Sequence, residues 1–294
     1  MRILFLIITT ILIFNSCTRE VNLDFKDFET NVVVNCLMTP DSVFKVRLSE
    51  SLRSDKEEIF NVINNAEVEI TDGKALTKLS CLGNGVYSAP VKPVPGNDYG
   101  LRVVTSQGKI ISSLTRVPVQ TVIKVTPLIN ENQIQINIVD DPNEKNYYWV
   151  GQKTYAFNSK TMEYETYISS DYLSFDDFNR SKNEDITGKM TYSYHFYARL
   201  EDSNYNGRKI SFCLPRIWPN PDQFKEIDYT FFIYIINADQ HLDQYMKSAI
   251  MQYELGVIGD MPVFYTPVNI YSNISNGKGI FGSYTISQFD ITVP

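Results

Sequence analysis

The chain has 294 residues, with 27 Lys and Arg against 34 Asp and Glu, giving a net charge of −7. An acidic chain without a basic stripe excludes nucleic acid as a partner, because that affinity comes from neutralising phosphates. It equally excludes charge-driven binding to an anionic membrane surface. The 19 tyrosines and 17 phenylalanines, set among alternating apolar segments, fit pleated, half-buried surfaces, so the chain reads as mainly β.

Residues 1–17 come first. Met1-Arg2 leads into an apolar run from Ile3 to Phe14, followed by Asn15-Ser16-Cys17. A charged start, a short apolar stretch and a small residue describe a secretory signal. As a helix the run rises about 18 Å, short of the roughly 30 Å of hydrocarbon a span must cross. The segment resembles a bacterial lipoprotein signal, with Phe14 where Leu, Val or Ile is usual. That resemblance implies acylation of Cys17, the expected lipidation site, by palmitate-like chains. Two or three such chains, at about 0.8 kcal/mol per buried CH₂, anchor a protein stably to a membrane. Residues 18–30 read as a tether.

Residues 31–118 read as a small β-sandwich of the immunoglobulin-like class, with seven or so strands over about 90 residues. Val32, Val34, Cys36 and Met38 alternate with Val33, Asn35 and Leu37, and Pro40-Asp41-Ser42 turns the chain into Phe44, Val46 and Leu48. Ser51 to Asn61 is polar and reads as a long loop. Ala66 to Ile70 meets Ala75 to Leu79 across Asp72-Gly73, and Leu82 meets Val86-Tyr87 across Asn84-Gly85; both dipeptides are strong hairpin signals. Tyr99 to Val103 runs to Gly108, and Lys109 to Val117 closes the set. The Cys…Trp…Cys signature of antibody domains is absent from the sequence.

Residues 119–294 read as a second β-rich domain with one amphipathic helix. Positions 118–130, with Pro118 and Pro127, look like a junction. Ile134-Ile136-Ile138 makes a strand that turns at Asp140-Asp141-Pro142-Asn143 into Tyr147 to Val150. Ser159 to Thr187 is polar and reads as a long excursion. Tyr192 to Leu200 and Lys209 to Leu214 are expected to form a hairpin across Asn206-Gly207, and Tyr229 to Ile236 a fully buried central strand. From 239 to 255, Leu242, Tyr245, Met246, Ala249, Ile250 and Tyr253 follow helical spacing, with Gly256 as the stop. A glycine-rich turn then precedes a strand from Ser283 to Val293.

The candidate motifs give little chemistry. Gly277 to Gly282 spells the dinucleotide fingerprint, but the segment that follows reads as a strand where a helix must present its N-terminus; a bulge or bend is the better reading. Asp202 to Gly207 imitates a calcium loop, yet position twelve is Cys213 and the flanks are strands, so a turn is expected. Calcium in the turn of Asp140, Asp141, Asn143 and Glu144 stays open beside ordinary turn chemistry. His195 and His241 lack Cys or His neighbours at zinc spacing. The expectation is no cofactor, no metal and no catalytic residues. Adjacent strand residues face opposite ways, so Glu57-Glu58, Asp140-Asp141 and Asp176-Asp177 cannot supply facing glycosidase carboxylates. Trp149, Trp218 and the tyrosines are candidates to stack against a sugar or to fill the core. Cys36, Cys81 and Cys213 form an odd set, and whether Cys36 and Cys81 pair stays open.

The whole chain resembles domain-of-unknown-function family 4249, a group of Bacteroidota lipoproteins. The resemblance rests on the signal, the Val32-Val33-Val34 strand and Asp141-Pro142 running into Tyr147-Tyr148-Trp149. It rests also on Tyr245-Met246-Lys247-Ser248 and on Pro267 to Ile274 ending in Gly277 to Gly282. It implies a lipid-anchored outer-membrane protein, with genes often beside TonB-dependent transporters, and carries no agreed catalytic residues. Glu20 and Asp24 form a diluted version of the acidic cluster behind the cysteine of surface-exported lipoproteins, so the membrane face stays open. The expected function is a non-enzymatic accessory of a TonB-dependent transporter that captures or gates a small-molecule, glycan or peptide ligand. A scattered-residue hydrolase acting on glycan or peptide and a structural or adhesive envelope module are the alternatives.

Overall fold

Alternation sets the strands and turn chemistry joins them. A computed structural model describes residues 29–52, 61–128, 133–158, 163–167, 197–202, 206–215, 230–257 and 269–292. In β1 (Val32–Met38), β2 (Phe44–Glu50), β6 (Asp98–Val104) and β7 (Ile110–Arg116) every second side chain is buried, as a strand with one dry face demands. β3 (Glu67–Thr71) and β4 (Leu76–Gly83) form a hairpin in which Asp72 Oδ1 accepts the Lys74 and Ala75 N–H groups. β4 turns into β5 (Val86–Ala89) through Asn84 and Gly85. Both have positive φ, 52° and 72°, as a two-residue type I′ turn requires.

The strand order β1-β2-β5-β4-β3-β6-β7 folds over at β4, which pairs with β3 through Leu76–Leu79 and with β5 through Ser80–Gly83. Split there, the two sheets have the immunoglobulin order A-B-E-D and C-F-G. Tyr99, near the start of β6, accepts the Val94 N–H at 2.9 Å, the tyrosine corner such sandwiches place at the entry to strand F. Val34, Val46, Leu48, Ile70, Val103 and Ile111 fill the core, each contributing about 1.5–3 kcal/mol by burial. Cys36 lies in this core and Cys81 is exposed on β4; both are free thiols, so the open question of their pairing is answered in the negative.

A second sandwich follows. β8 (Val122–Leu128), β9 (Gln133–Val139) and β13 (Lys209–Pro215) make one sheet in the order β13-β9-β8. β10 (Tyr147–Asn158), β11 (Glu163–Tyr167), β12 (Tyr197–Glu201) and β14 (Thr230–Ala238) face it, joined by the long β15 (Lys278–Thr292). Ile134, Ile136 and Ile138 meet Tyr148, Val150, Ile233 and Ile235 between the layers. The other face of β10 and β14 carries Tyr147, Trp149 and Ile236, and receives Leu242, Tyr245, Met246 and Ile250 of the helix α1 (Gln240–Val257). The apolar run in β14 is central, between β10 and β15. It is buried on one face only, at Ile233 and Ile235, and half-buried on the other, at Phe232, Tyr234 and Ile236, short of the full burial expected. Among the described residues no helix is long and apolar enough to cross a membrane.

The expected hairpin across Asn206-Gly207 does not form. β12 pairs with β10 and β13 with β9, so the turn carries the chain to the facing sheet, where Leu200 and Ile210 enter one core from opposite layers. The junction at 118–130 contains a strand, β8, which tolerates Pro127 because it pairs only with β9 at the sheet edge. The polar excursion contains β11; residues 159–162 and 168–187 of it lie outside the described set. α1 runs through Gly256 to Val257, one residue past the expected stop.

The glycine-rich segment before Ser283 is also a strand rather than a turn. Lys278–Ser283 pairs in parallel with β1, and Tyr284–Thr292 pairs antiparallel with β14. Gly279 has φ 107°, and a Cβ there would collide with the Val34 carbonyl oxygen. The glycines of the apparent nucleotide fingerprint thus permit close strand and helix packing. One strand completes a sheet in each sandwich.

Candidate functional site

Strand register builds a trough on the outer face of the β3-β6-β7 sheet. Leu76, Thr71, Gly100 and Leu114 fall opposite one another across four strands. Gly100 offers no side chain, so the Thr71 and Leu114 side chains lean over it, and Leu76 and Leu114 stand 59% and 73% exposed on either side of this low Thr71–Gly100 floor. The next row is Lys78, Glu69, Arg102 and Ser112, in which Glu69 pairs with Lys78 at 3.6 Å and Arg102 at 3.3 Å. The open trough measures about 550 Å³ and ends at His241 and Asn273, inside the roughly 300–1,000 Å³ range of ligand sites.

The closed end is held rigidly. Asn273 Oδ1 accepts the Phe281 N–H at 3.0 Å while its Nδ2 donates to the Phe281 carbonyl at 2.7 Å. His241 Nδ1 sits 2.7 Å from the Tyr271 hydroxyl, with the rings stacked at 14°. The start of α1 is fixed by Asp239. Its Oδ1 caps the Leu242 N–H at 2.6 Å, and its Oδ2 accepts the Ser283 N–H at 2.9 Å and the Thr115 hydroxyl. Burial raises the Asp239 carboxyl above its ordinary range despite these donors. Burial and the Asp239 charge likewise raise the Tyr271 hydroxyl.

Two further polar clusters lie inside the second sandwich. Arg199 donates through Nε to Asp243 Oδ1 at 2.5 Å and through Nη2 to Asp243 Oδ2 at 2.9 Å and Glu201 Oε2 at 3.0 Å. Trp149 Nε1 also donates to Asp243 Oδ1, at 3.0 Å, so this cluster locks α1 to the sheet. In the second, Tyr148 donates to Asp140 Oδ1 at 2.6 Å and Gly207 N–H to Asp140 Oδ2 at 2.8 Å. Asp202 Oδ2 accepts the Asn146 N–H at 2.7 Å. Burial raises both carboxyls, that of Asp202 to about 6.

Of the residues singled out in the sequence, Trp149 is fully buried and is no stacking platform. His241 heads α1 at the trough, away from the Asp140–Asp202 cluster. Cys17, Glu57, Glu58, Asp176, Asp177, His195 and Trp218 lie outside the described residues. Among the described residues no group of three or more His, Cys, Asp or Glu is arranged to hold a metal ion. Sequence reasoning missed Leu76, Gly100, Arg102 and Leu114. Their only linear signal was a glycine inside a strand pattern, which marks a close approach or an open floor without saying which.

No protein of curated function matches the chain. Among solved structures it is similar to a chain of a cytokine receptor complex, at 12% identity over 69% of this chain and 82% of that one, with a TM-score of 0.24. It is also similar to a proposed carbohydrate binding protein from Bacteroides uniformis, at 10% identity over 71% and 89%, with a TM-score of 0.21. Scores this low carry no argument about fold or function. The family described as "Domain of unknown function (DUF4249)" matches residues 18–290, and the chain belongs to that family.

Proposed function

We propose that this protein is a non-enzymatic binding module, lipid-anchored at Cys17 to the outer membrane, that captures or gates a ligand for a TonB-dependent transporter. The observation that carries the reading is the preformed trough, with two exposed leucines flanking the Gly100 floor beside Arg102 and His241. Covering a leucine removes it from water at a gain of about 1.5–3 kcal/mol, so an apolar group seated over Gly100 binds usefully. Arg102 and His241 offer polar handles for a small molecule, glycan or peptide. The chemistry of the buried carboxylates favours binding over hydrolysis: Asp140, Asp202, Asp239 and Asp243 are all buried, out of reach of a substrate. The signal-like segment ending at Cys17 supports the anchor.

The test is purification from detergent-solubilised envelopes of cells carrying the tagged chain or its Leu114→Asp variant. The expected result is a barrel transporter in both eluates, with co-purified ligand at least tenfold lower in the second. A first eluate without any barrel protein overturns the transporter reading, and equal ligand in both removes the trough from it.

A further inference from the structure

Two segments with the look of calcium loops, far apart in the chain, meet in space. The β9–β10 turn carries Asp140-Asp141-Pro142-Asn143; Asp202 stands at the end of β12, and Asn206-Gly207 leads into β13. Each lends its carboxylate to the other's backbone: Asp140 Oδ2 accepts the Gly207 N–H at 2.8 Å, and Asp202 Oδ2 accepts the Asn146 N–H at 2.7 Å. The Asp140 N–H donates to the Arg208 carbonyl at 3.3 Å, and Asn206 Nδ2 to the Pro142 carbonyl, also at 3.3 Å. Both carboxylates therefore face across from one segment to the other.

The second observation is an orphan. Asp202 is only 1% exposed, yet its Oδ1 has no hydrogen-bond partner. The nearby Lys145 ammonium is engaged by Glu201 Oε1 at 2.7 Å. A buried, half-satisfied carboxylate beside a second carboxylate is costly. A positive charge between them removes that cost.

We infer that the Asp140 and Asp202 carboxylates form a calcium-type cation site, with Asp202 Oδ1 as its open charged ligand. The donor atoms are all oxygen, which suits a hard cation rather than zinc or copper. Calcium accepts backbone carbonyls and water in irregular geometry, whereas magnesium demands a near-octahedral cage. Two carboxylates fit the weak end of the calcium range, a Kd of about 10⁻⁴–10⁻³ M. This inference goes beyond the binding role of the trough and stands independently of it.

The test uses the full chain in detergent, freed of cations by chelator. Terbium, as a calcium probe, should emit when the tyrosines are excited, because Tyr148 abuts Asp140, and calcium should displace it at submillimolar to millimolar concentration. Calcium at a hundredfold excess over Kd should raise Tm by about 5–10 °C. Asp202→Asn should lose both responses, and the exposed control Asp98→Asn should keep both. If Asp202→Asn does not fold, Asp140→Asn carries the same expectation, and terbium emission from the unaltered chain still decides whether the cation binds. Absence of displaceable terbium and of a Tm shift in the unaltered chain overturns the inference, as does retention of both in Asp202→Asn. An equal shift with magnesium overturns the assignment to calcium.

Discussion

In the first sandwich, charged side chains keep to the outer faces. Glu69 pairs with Lys78 and Arg102, and Arg116 pairs with Asp98, around an interior of Val34, Val46, Leu48 and Ile70. In the second, Arg199 and Asp243 are buried between the sheet and α1, and Asp140 and Asp202 are buried at the turns beside Tyr148. The contrast teaches where each half is vulnerable. An aliphatic core loses stability in proportion to the methylenes removed, whereas a buried ionic cluster fails abruptly when one member goes and leaves a charge uncompensated.

The comparison can be broken most sharply at its two arginines. Arg199→Ala leaves buried Asp243 with only the half-exposed Lys247, at 3.3 Å, as countercharge and should cost about 3–5 kcal/mol in urea denaturation, while Arg102→Ala on the first sandwich should cost about 1 kcal/mol or less. Equal losses would mean that the buried cluster is no more critical than a surface pair. Replacing Arg199 and Asp243 together by Met and Leu should recover much of the loss, since no lone charge then remains.

A smaller effect sharpens the boundary between the halves, at Asp239. Burial raises its folded-state value above the ordinary 3.8, so the folded protein holds the proton more tightly than the unfolded chain. Its contribution therefore favours folding at low pH and is lost as pH rises through the raised value. Asp239→Asn, which keeps an oxygen to cap Leu242, should show a flatter fall in stability over that window. Parallel curves for the two chains would contradict the assignment.

The smallest effect is chemical rather than energetic. Burial pushes the Cys36 thiol up to about 12, and only the thiolate reacts readily. Alkylation of the native protein at pH 8 should label exposed Cys81 promptly and Cys36 only at the rate of unfolding. Early labelling of Cys36 would mean that the first core opens locally.

What was legible in the sequence was what is local. Asp72-Gly73 and Asn84-Gly85 specify their hairpins through their own backbone preferences, and the alternation in β1, β2 and β7 specifies which face is dry. The three-and-four spacing from Leu242 to Ile250 likewise places α1. Illegible were features set by partners remote in the chain. Nothing near Asn206-Gly207 says that β12 and β13 belong to opposite layers, since either arrangement buries Leu200 and Ile210. Gly100 becomes part of a trough floor only because register puts Thr71 and Leu114 beside it, with Leu76 beyond Thr71. Gly279 looked like a turn residue because the carbonyl that forbids a side chain there belongs to Val34.

The shared strand has a consequence for how the molecule is made. Val33 lies opposite Lys278 in the parallel ladder, so β1 waits for a neighbour 245 positions downstream. At ribosomal speeds of about 5–20 residues per second, that interval is on the order of 12–50 s. Throughout it β1 presents an unpaired edge, as β14 does once it has been made, and such edges are the surfaces most prone to joining a foreign strand. The chain therefore has reason to depend on a holding chaperone until β15 arrives, and a version truncated before Lys278 should aggregate rather than fold as half a molecule.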